Sequence, residues 1–241
     1  MDDTTVVGLI SRGNETKYRK EVEQLGKQCE ANNLILNQKK TQEIIVDFRK
    51  KKKGTVSPLL IDGGCVERVT SFKFLGVHIQ EDLHWGINSK VIHKKARQRL
   101  HFLRILRKYQ PSQELMVSFY RSTVESILTY CMGVWFEGCT EEERTNLQRV
   151  VNSAQKIIGC PLPSLESIFE TRCHRRVAKI RADPYHPGNG LFATMRSGWR
   201  LRGIGGKKRL TTSFYPAAIR IANTALTRQL NCPPPPLLLP R

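Results

Sequence analysis

The clearest chemistry in this chain lies in one row of basic side chains. Lys90, Lys94, Arg97, His101, Arg104 and Lys108 recur at steps of four, three, four, three and four. On a helix turning about 100° per residue, those steps hold them on one side. Such a row suits a run of phosphates, with compact charges from Lys and forked N–H donors from Arg. No Asp or Glu occurs between Lys90 and Lys108, whereas an ordinary solvated face mixes in acids one turn away. A helix with one sign of charge on one side repels itself unless a polyanion neutralises it. These residues therefore predict nucleic-acid contact. An acidic doublet, Asp2-Asp3, precedes the apolar stretch Val6–Ile10; by itself it reads as solvated charge. The seven cysteines are irregularly spaced and contain no CxxC pair, so they do not form a zinc site. Most of them fall on apolar faces and read as core thiols.

Composition agrees with a polyanionic partner. Forty Lys and Arg stand against 21 Asp and Glu, giving a formal charge of +19 and a pI near 10.0. That excess points to RNA or DNA first and acidic membrane surfaces second. No apolar run is long enough to span a bilayer, and the acidic start is unlike a signal peptide. The expectation is an intracellular protein of nucleus or cytoplasm, with no membrane partner. The oligomeric state is not legible.

The elements that must position the basic row follow from periodicity. Ile92, Ala96, Leu100, Leu103 and Leu106 place an apolar stripe opposite the cations, and Arg99 is expected on that apolar side. Phe72–Ile79 alternates and reads as a strand. Upstream, Asn14 is expected to cap a helix carrying Tyr18, Val22, Leu25 and Cys29. A strand is expected over Glu43–Phe48, then a basic run Arg49–Lys53, then a hairpin turning at Asp62-Gly63-Gly64. Downstream, Pro111-Ser112 opens a helix with Leu115, Tyr120, Val124, Leu128, Cys131 and Val134 on one side. Thr140 with Glu143 forms a capping box, and Ser164 starts another helix. The fold class is α+β: a small antiparallel sheet from Thr4–Ile10 and Thr41–Ile79, an all-helical half, and an irregular basic C-terminal region. Domain boundaries are expected at 1–84, 85–182 and 183–241. In the last segment Trp199 sits among Arg196, Arg200, Arg202, Lys207, Lys208 and Arg209 as a stacking residue, a short helix is expected over Pro216–Arg228, and the proline-rich end reads as disordered.

A strand carrying Phe74-Leu75-Gly76 followed by a basic helix resembles the primer grip and first thumb helix of a reverse transcriptase. The best likeness is to the LINE-type (non-LTR) retrotransposon polymerase. Leu34-Ile35-Leu36-Asn37-Gln38-Lys39-Lys40-Thr41 matches the Leu-x-Leu-Asn-x-x-Lys-Thr segment of that family, departing at Gln42 where the family tends to have Lys. Asp2-Asp3 resembles the acidic doublet of its palm. The resemblance implies a palm-like sheet, a thumb-like bundle, and a template–primer of RNA and/or DNA as partner. It implies Asp2 and Asp3 as catalytic Mg²⁺ ligands, Lys40 near the triphosphate as a proton donor, and Phe74, Leu75 and Gly76 at the primer end. In the family, fingers and a third palm aspartate lie upstream. The expectation is therefore a truncated RNA-directed DNA polymerase that keeps a nucleic-acid-binding surface, holds no cofactor alone, and extends no primer.

Two alternatives stand beside this. One is a non-catalytic nucleic-acid-binding protein. The other rests on Lys94–Arg104, which is similar to the N-terminal segment of the AlkB-type tRNA-modifying dioxygenase and methyltransferase. Its chemistry is missing: none of the six histidines begins a His-x-Asp for an iron triad, and no Gly-rich loop follows a strand to hold S-adenosylmethionine.

Overall fold

The computed structural model describes residues 4–11, 13–49, 56–196, 198–206 and 208–230. The chain divides into two compact units, Met1–Leu83 and His84–Arg241.

The first unit is built on helix α1 (Thr16–Ala31), where Asn14 Oδ1 accepts from the Thr16 N–H at 3.0 Å. Asn33 follows the helix in the left-handed region at φ 55°, a conformation Asn tolerates. Val22 of α1 packs with Leu59, Ile61 and Val66, and Val6, Tyr18 and Leu36 close around them. The strands are short: β1 (Gln42–Glu43), β2 (Leu60–Ile61), β3 (Gly64–Cys65), β4 (Glu67–Arg68), β5 (Ser71–Phe74) and β6 (Val77–Gln80).

The expected single antiparallel sheet is not what forms. The strands make three separate pairs: β1 with β4 parallel, β2 with β3 and β5 with β6 antiparallel. Residues 4–10 form no strand, and Val7 and Leu9 are 90% and 94% exposed. β-prone residues make a strand only where an edge is free to pair with them. Likewise, of the strand expected over Glu43–Phe48 only Glu43 is in a strand, as the last residue of β1.

The parallel register pairs Glu43 with Arg68, and this builds a polar centre. The Glu43 carboxylate is buried; it accepts from Arg68 Nε at 3.0 Å, Arg68 Nη2 at 2.8 Å and the Tyr18 hydroxyl at 3.2 Å. Burial, reinforced by the Glu43 charge, pushes the Tyr18 phenol up to about 12. Its contribution is thus complete below the ordinary tyrosine value near 10 and is lost as pH rises through 12.

The second unit is helical. Helix α2 (Gly86–Lys108) is followed by α3 (Gln113–Tyr120), a π-helical turn at Arg121–Glu125, α4 (Ser126–Thr129) and α5 (Met132–Trp135). Then come α6 (Glu141–Ile158), α7 (Leu165–Ala182), α8 (Lys208–Thr211) and α9 (Phe214–Leu230). The buried line through the middle is Met116, Tyr120, Val124, Leu128 and Met132, spaced by four throughout. A regular α-helix drifts about 40° at each such step; the wider π turn absorbs the drift. Leu115, Cys131 and Val134, expected inside, are exposed: Leu115 lies beside buried Met116 before the π turn, and Cys131 and Val134 come after α4 has ended at Thr129. Cys131 sits at φ 48° and ends the run. Of the cysteines described, Cys139 and Cys173 are buried, while Cys65 and Cys131 are exposed, so the core-thiol expectation holds for a minority.

The segment after Asp183 carries α8 and α9, and α9 takes in the short helix expected over 216–228. Ala217, Ala218 and Ile219 of α9 are buried, and α9 lies along α7. Small residues on the buried face suit close packing of one helix on another.

Two outcomes test these assignments. Arg68→Ala leaves the Glu43 carboxylate with the Tyr18 hydroxyl as its one side-chain partner. Hydrogen exchange over 16–31 in the full chain should then report opening made easier by about 1–3 kcal/mol. Glu143→Ala removes both the capping box on α6 and the bond from buried Ser89 to Glu143 Oε1 at 3.0 Å. Its thermal midpoint should fall by roughly 3–10 °C; an unchanged midpoint would show that neither contact matters.

Candidate nucleic-acid interface

Helix α2 starts at a fixed point. Trp85 is buried, and its indole lies 2.6 Å from where a Cβ on Gly138 would be. Any side chain at 138 would collide with it. Ser89 is buried too and binds both the Gly86 carbonyl at 3.1 Å and Glu143 of α6. Ile92, Ala96, Leu100 and Leu103 then fill the interface with α6, where Leu147, Val150, Val151, Ala154 and Ile158 are buried. Leu106, the last of the expected stripe, is half-buried.

With that face committed to the core, the opposite side is solvent. Lys90, Lys94, Arg97, His101, Arg104 and Lys108 are all exposed. Among the described residues none of these cations is paired with a carboxylate. From Lys90 to Lys108 the row extends about 27 Å at 1.5 Å per residue. Next to it, His93 is partly buried; desolvation, then the charge of Arg97, lowers its pKa. It is therefore more often neutral than a free imidazole and adds little to the positive row.

Arg99 departs from expectation. It is exposed rather than apolar-facing, and its guanidinium lies over the Phe102 ring at 5.9 Å. The long stem clears the α6 contact and the charge finds a ring instead of an acid. Phe102 and Tyr109 themselves are 49% and 79% exposed. Sequence reading passed over both, although aromatic positions beside cations on a helical wheel are a legible signal for a surface that meets bases.

The other expected site residues lie elsewhere. Asp2 and Asp3 are outside the described residues. Lys40 is exposed on a 3₁₀ turn, Gln38–Lys40, in the first unit. Asn37 Oδ1 accepts from the Lys40 N–H at 3.2 Å and the Thr41 hydroxyl bonds the Asn37 carbonyl at 3.0 Å. The Asn and Thr of this segment thus shape the turn. Phe74 pairs with Val77, and Leu75 and Gly76, at φ 44° and 87°, make the two-residue turn between β5 and β6. Left-handed values at both positions define a type I′ hairpin turn. Leu75 is 65% exposed there and costs roughly 1–2 kcal/mol in that conformation. Lys40 and Phe74–Gly76 belong to the first unit and the α2 row to the second.

Among the described residues no group of three or more His, Cys, Asp or Glu side chains could hold a metal ion. None of the described helices is long and apolar enough to cross a membrane.

Comparison with known proteins gives one family match. Residues 85–126 match the model of "Alkylated DNA repair protein alkB homolog 8, N-terminal". The match begins at the Trp85 anchor and takes in α2, α3 and the π turn, well under half of the chain. No curated protein and no solved structure matches.

Proposed function

We propose that this chain binds nucleic acid through the cationic face of α2. One observation carries the reading: a helix whose core face is fixed against α6 leaves its exposed basic row without a paired carboxylate among the described residues. A phosphate backbone supplies that charge, and release of its condensed counterions drives association. The +19 formal charge adds long-range attraction.

Two origins are proposed for such a surface. The first is a LINE-type polymerase remnant without activity of its own. It is supported by the order of the Leu34–Thr41 segment, the Phe74-Leu75-Gly76 hairpin and the basic helix, with palm-like and thumb-like roles for the two units. The carboxylates of the described residues do not assemble into a Mg²⁺ site, so no metal-dependent step is assigned here. The second origin is a segment similar to the N-terminal part of alkB homolog 8, which the match over 85–126 supports and which that match favours over the first. Both readings converge on nucleic acid, and both put α2 at the contact.

Salt dependence tests the shared claim. Each phosphate contact removed should lower the log–log salt slope of binding by roughly 0.7–0.9. Arg97→Glu and Arg99→Glu change net charge equally but lie on different sides of α2. By fluorescence anisotropy against salt, Arg97→Glu should weaken binding to any sequence and flatten the slope, and the triple reversal at Arg97, Arg104 and Lys108 should do so further. Arg99→Glu should leave the slope near that of the parent. Equal effects from Arg97 and Arg99 would mean that net charge alone acts and that the face has no role.

A further inference from the structure

A cleft of about 590 Å³ lies in the second unit between α7, the middle of α9 and a small hairpin. The hairpin runs from Thr194 to Leu201, which face each other in an antiparallel bridge. Met195 N–H donates to the Arg200 carbonyl at 2.7 Å and Arg202 N–H to the Ala193 carbonyl at 2.8 Å. Asn223 of α9 then grips Leu201 twice: its Oδ1 accepts from the Leu201 N–H at 2.8 Å and its Nδ2 donates to the Leu201 carbonyl at 3.0 Å. One side chain thus replaces a missing strand and fixes the hairpin to α9. The tip turns at Gly198, φ 73°, and carries Trp199, which is 67% exposed at the mouth of the cleft.

An indole held out on a pinned hairpin forgoes a large burial gain. What surrounds it is suited to one kind of ligand. Its lining combines apolar Val177, Ala178 and Ala222 with the basic Arg181, His174 and Arg200. None of the lining residues is acidic. A flat aromatic platform, small methyl groups and guanidinium groups together complement a planar ring joined to an anion. The volume falls within the range of about 300–1,000 Å³ usual for small-ligand sites.

We propose that this cleft takes an unpaired nucleotide of a single strand, its base stacked on Trp199 and its phosphate held by Arg181 and Arg200. A paired base cannot present its face to the indole, so the site selects single strands over duplex. It is a second contact, distinct in residues and in preference from the α2 row.

Tryptophan emission reads this site directly. Trp85 and Trp135 are 9% and 0% exposed, so quenching by an added oligonucleotide reports Trp199. Titration with short oligo(dT) and, separately, oligo(rU) should quench the emission at saturation, and the pair shows whether a DNA or an RNA strand is preferred. Matched duplex should quench little. Trp199→Ala should abolish the quench and weaken single-strand binding by roughly 5- to 150-fold while duplex binding holds, with an unchanged thermal melt. Arg181→Glu should weaken single-strand binding and keep the fold. Equal quenching by duplex and single strand, or unchanged single-strand affinity in Trp199→Ala, would overturn the proposal. The α2 triple reversal separates the two surfaces. A quench that persists in it at saturation supports the cleft even where the α2 reading fails.

Discussion

Everything that distinguishes the second unit depends on the contact between α2 and α6. Ala96 of α2 and Ala154 of α6 are fully buried, and Leu100, Leu103, Leu147 and Val150 of the two contacting helices are buried with them. Burying four such aliphatic side chains contributes on the order of 6–12 kcal/mol before entropy is set against it. That gain fixes the rotation of α2 about its axis, and rotation decides which residues are left outside. A turn of one residue position would bury Arg97 or Arg104 without a partner, at several kcal/mol. The basic row is exposed because the core face is specified.

The same economy of contacts holds α2 at its first turn. Trp85 sits over Gly138, and Glu143 serves as cap for α6 and acceptor for Ser89 of α2. Burial together with the nearby Glu143 charge pushes the Cys139 thiol up to about 12, so this corner keeps its thiol protonated and inert. Further along, Glu137 binds Arg144 of α6 and Arg220 of α9. One carboxylate thereby connects the long helix behind the basic row to the helix that carries the Asn223 clamp. A rigid scaffold of this kind lets surface side chains hold their spacing against a charged ligand.

How much of this was legible depended on the kind of signal. The Ile92–Leu103 stripe and the cation row were readable because a three- and four-residue period states a helix and its two faces together. The Thr140–Glu143 capping box was readable for the same reason: it is local chemistry at fixed spacing. The β-rich part was not. Val6–Ile10 and Ile44–Phe48 have strand-forming residues, but a strand needs an edge to pair with, and sequence alone does not supply the partner. The π turn at 121–125 was hidden because one extra residue per turn leaves composition unchanged and only rotates the face. Helix α9 was legible as a short helix over Pro216–Arg228; its buried face, Ala217-Ala218-Ile219, has little hydrophobic contrast and did not show what it packs against. Exposed Trp199 was noticed as a residue, yet its setting above a cleft required the long-range pairing of Leu201 with Asn223.

The central claim is that the α2 face, rather than the charge of the chain at large, meets the phosphates. Lysine footprinting tests it most directly: amine acylation of the intact chain is followed by peptide mass spectrometry with and without saturating duplex. The account predicts that Lys90, Lys94 and Lys108 are protected several-fold while Lys20 of α1 and Lys156 of α6 react as before. Uniform protection of all five lysines, or protection that spares α2, would contradict it.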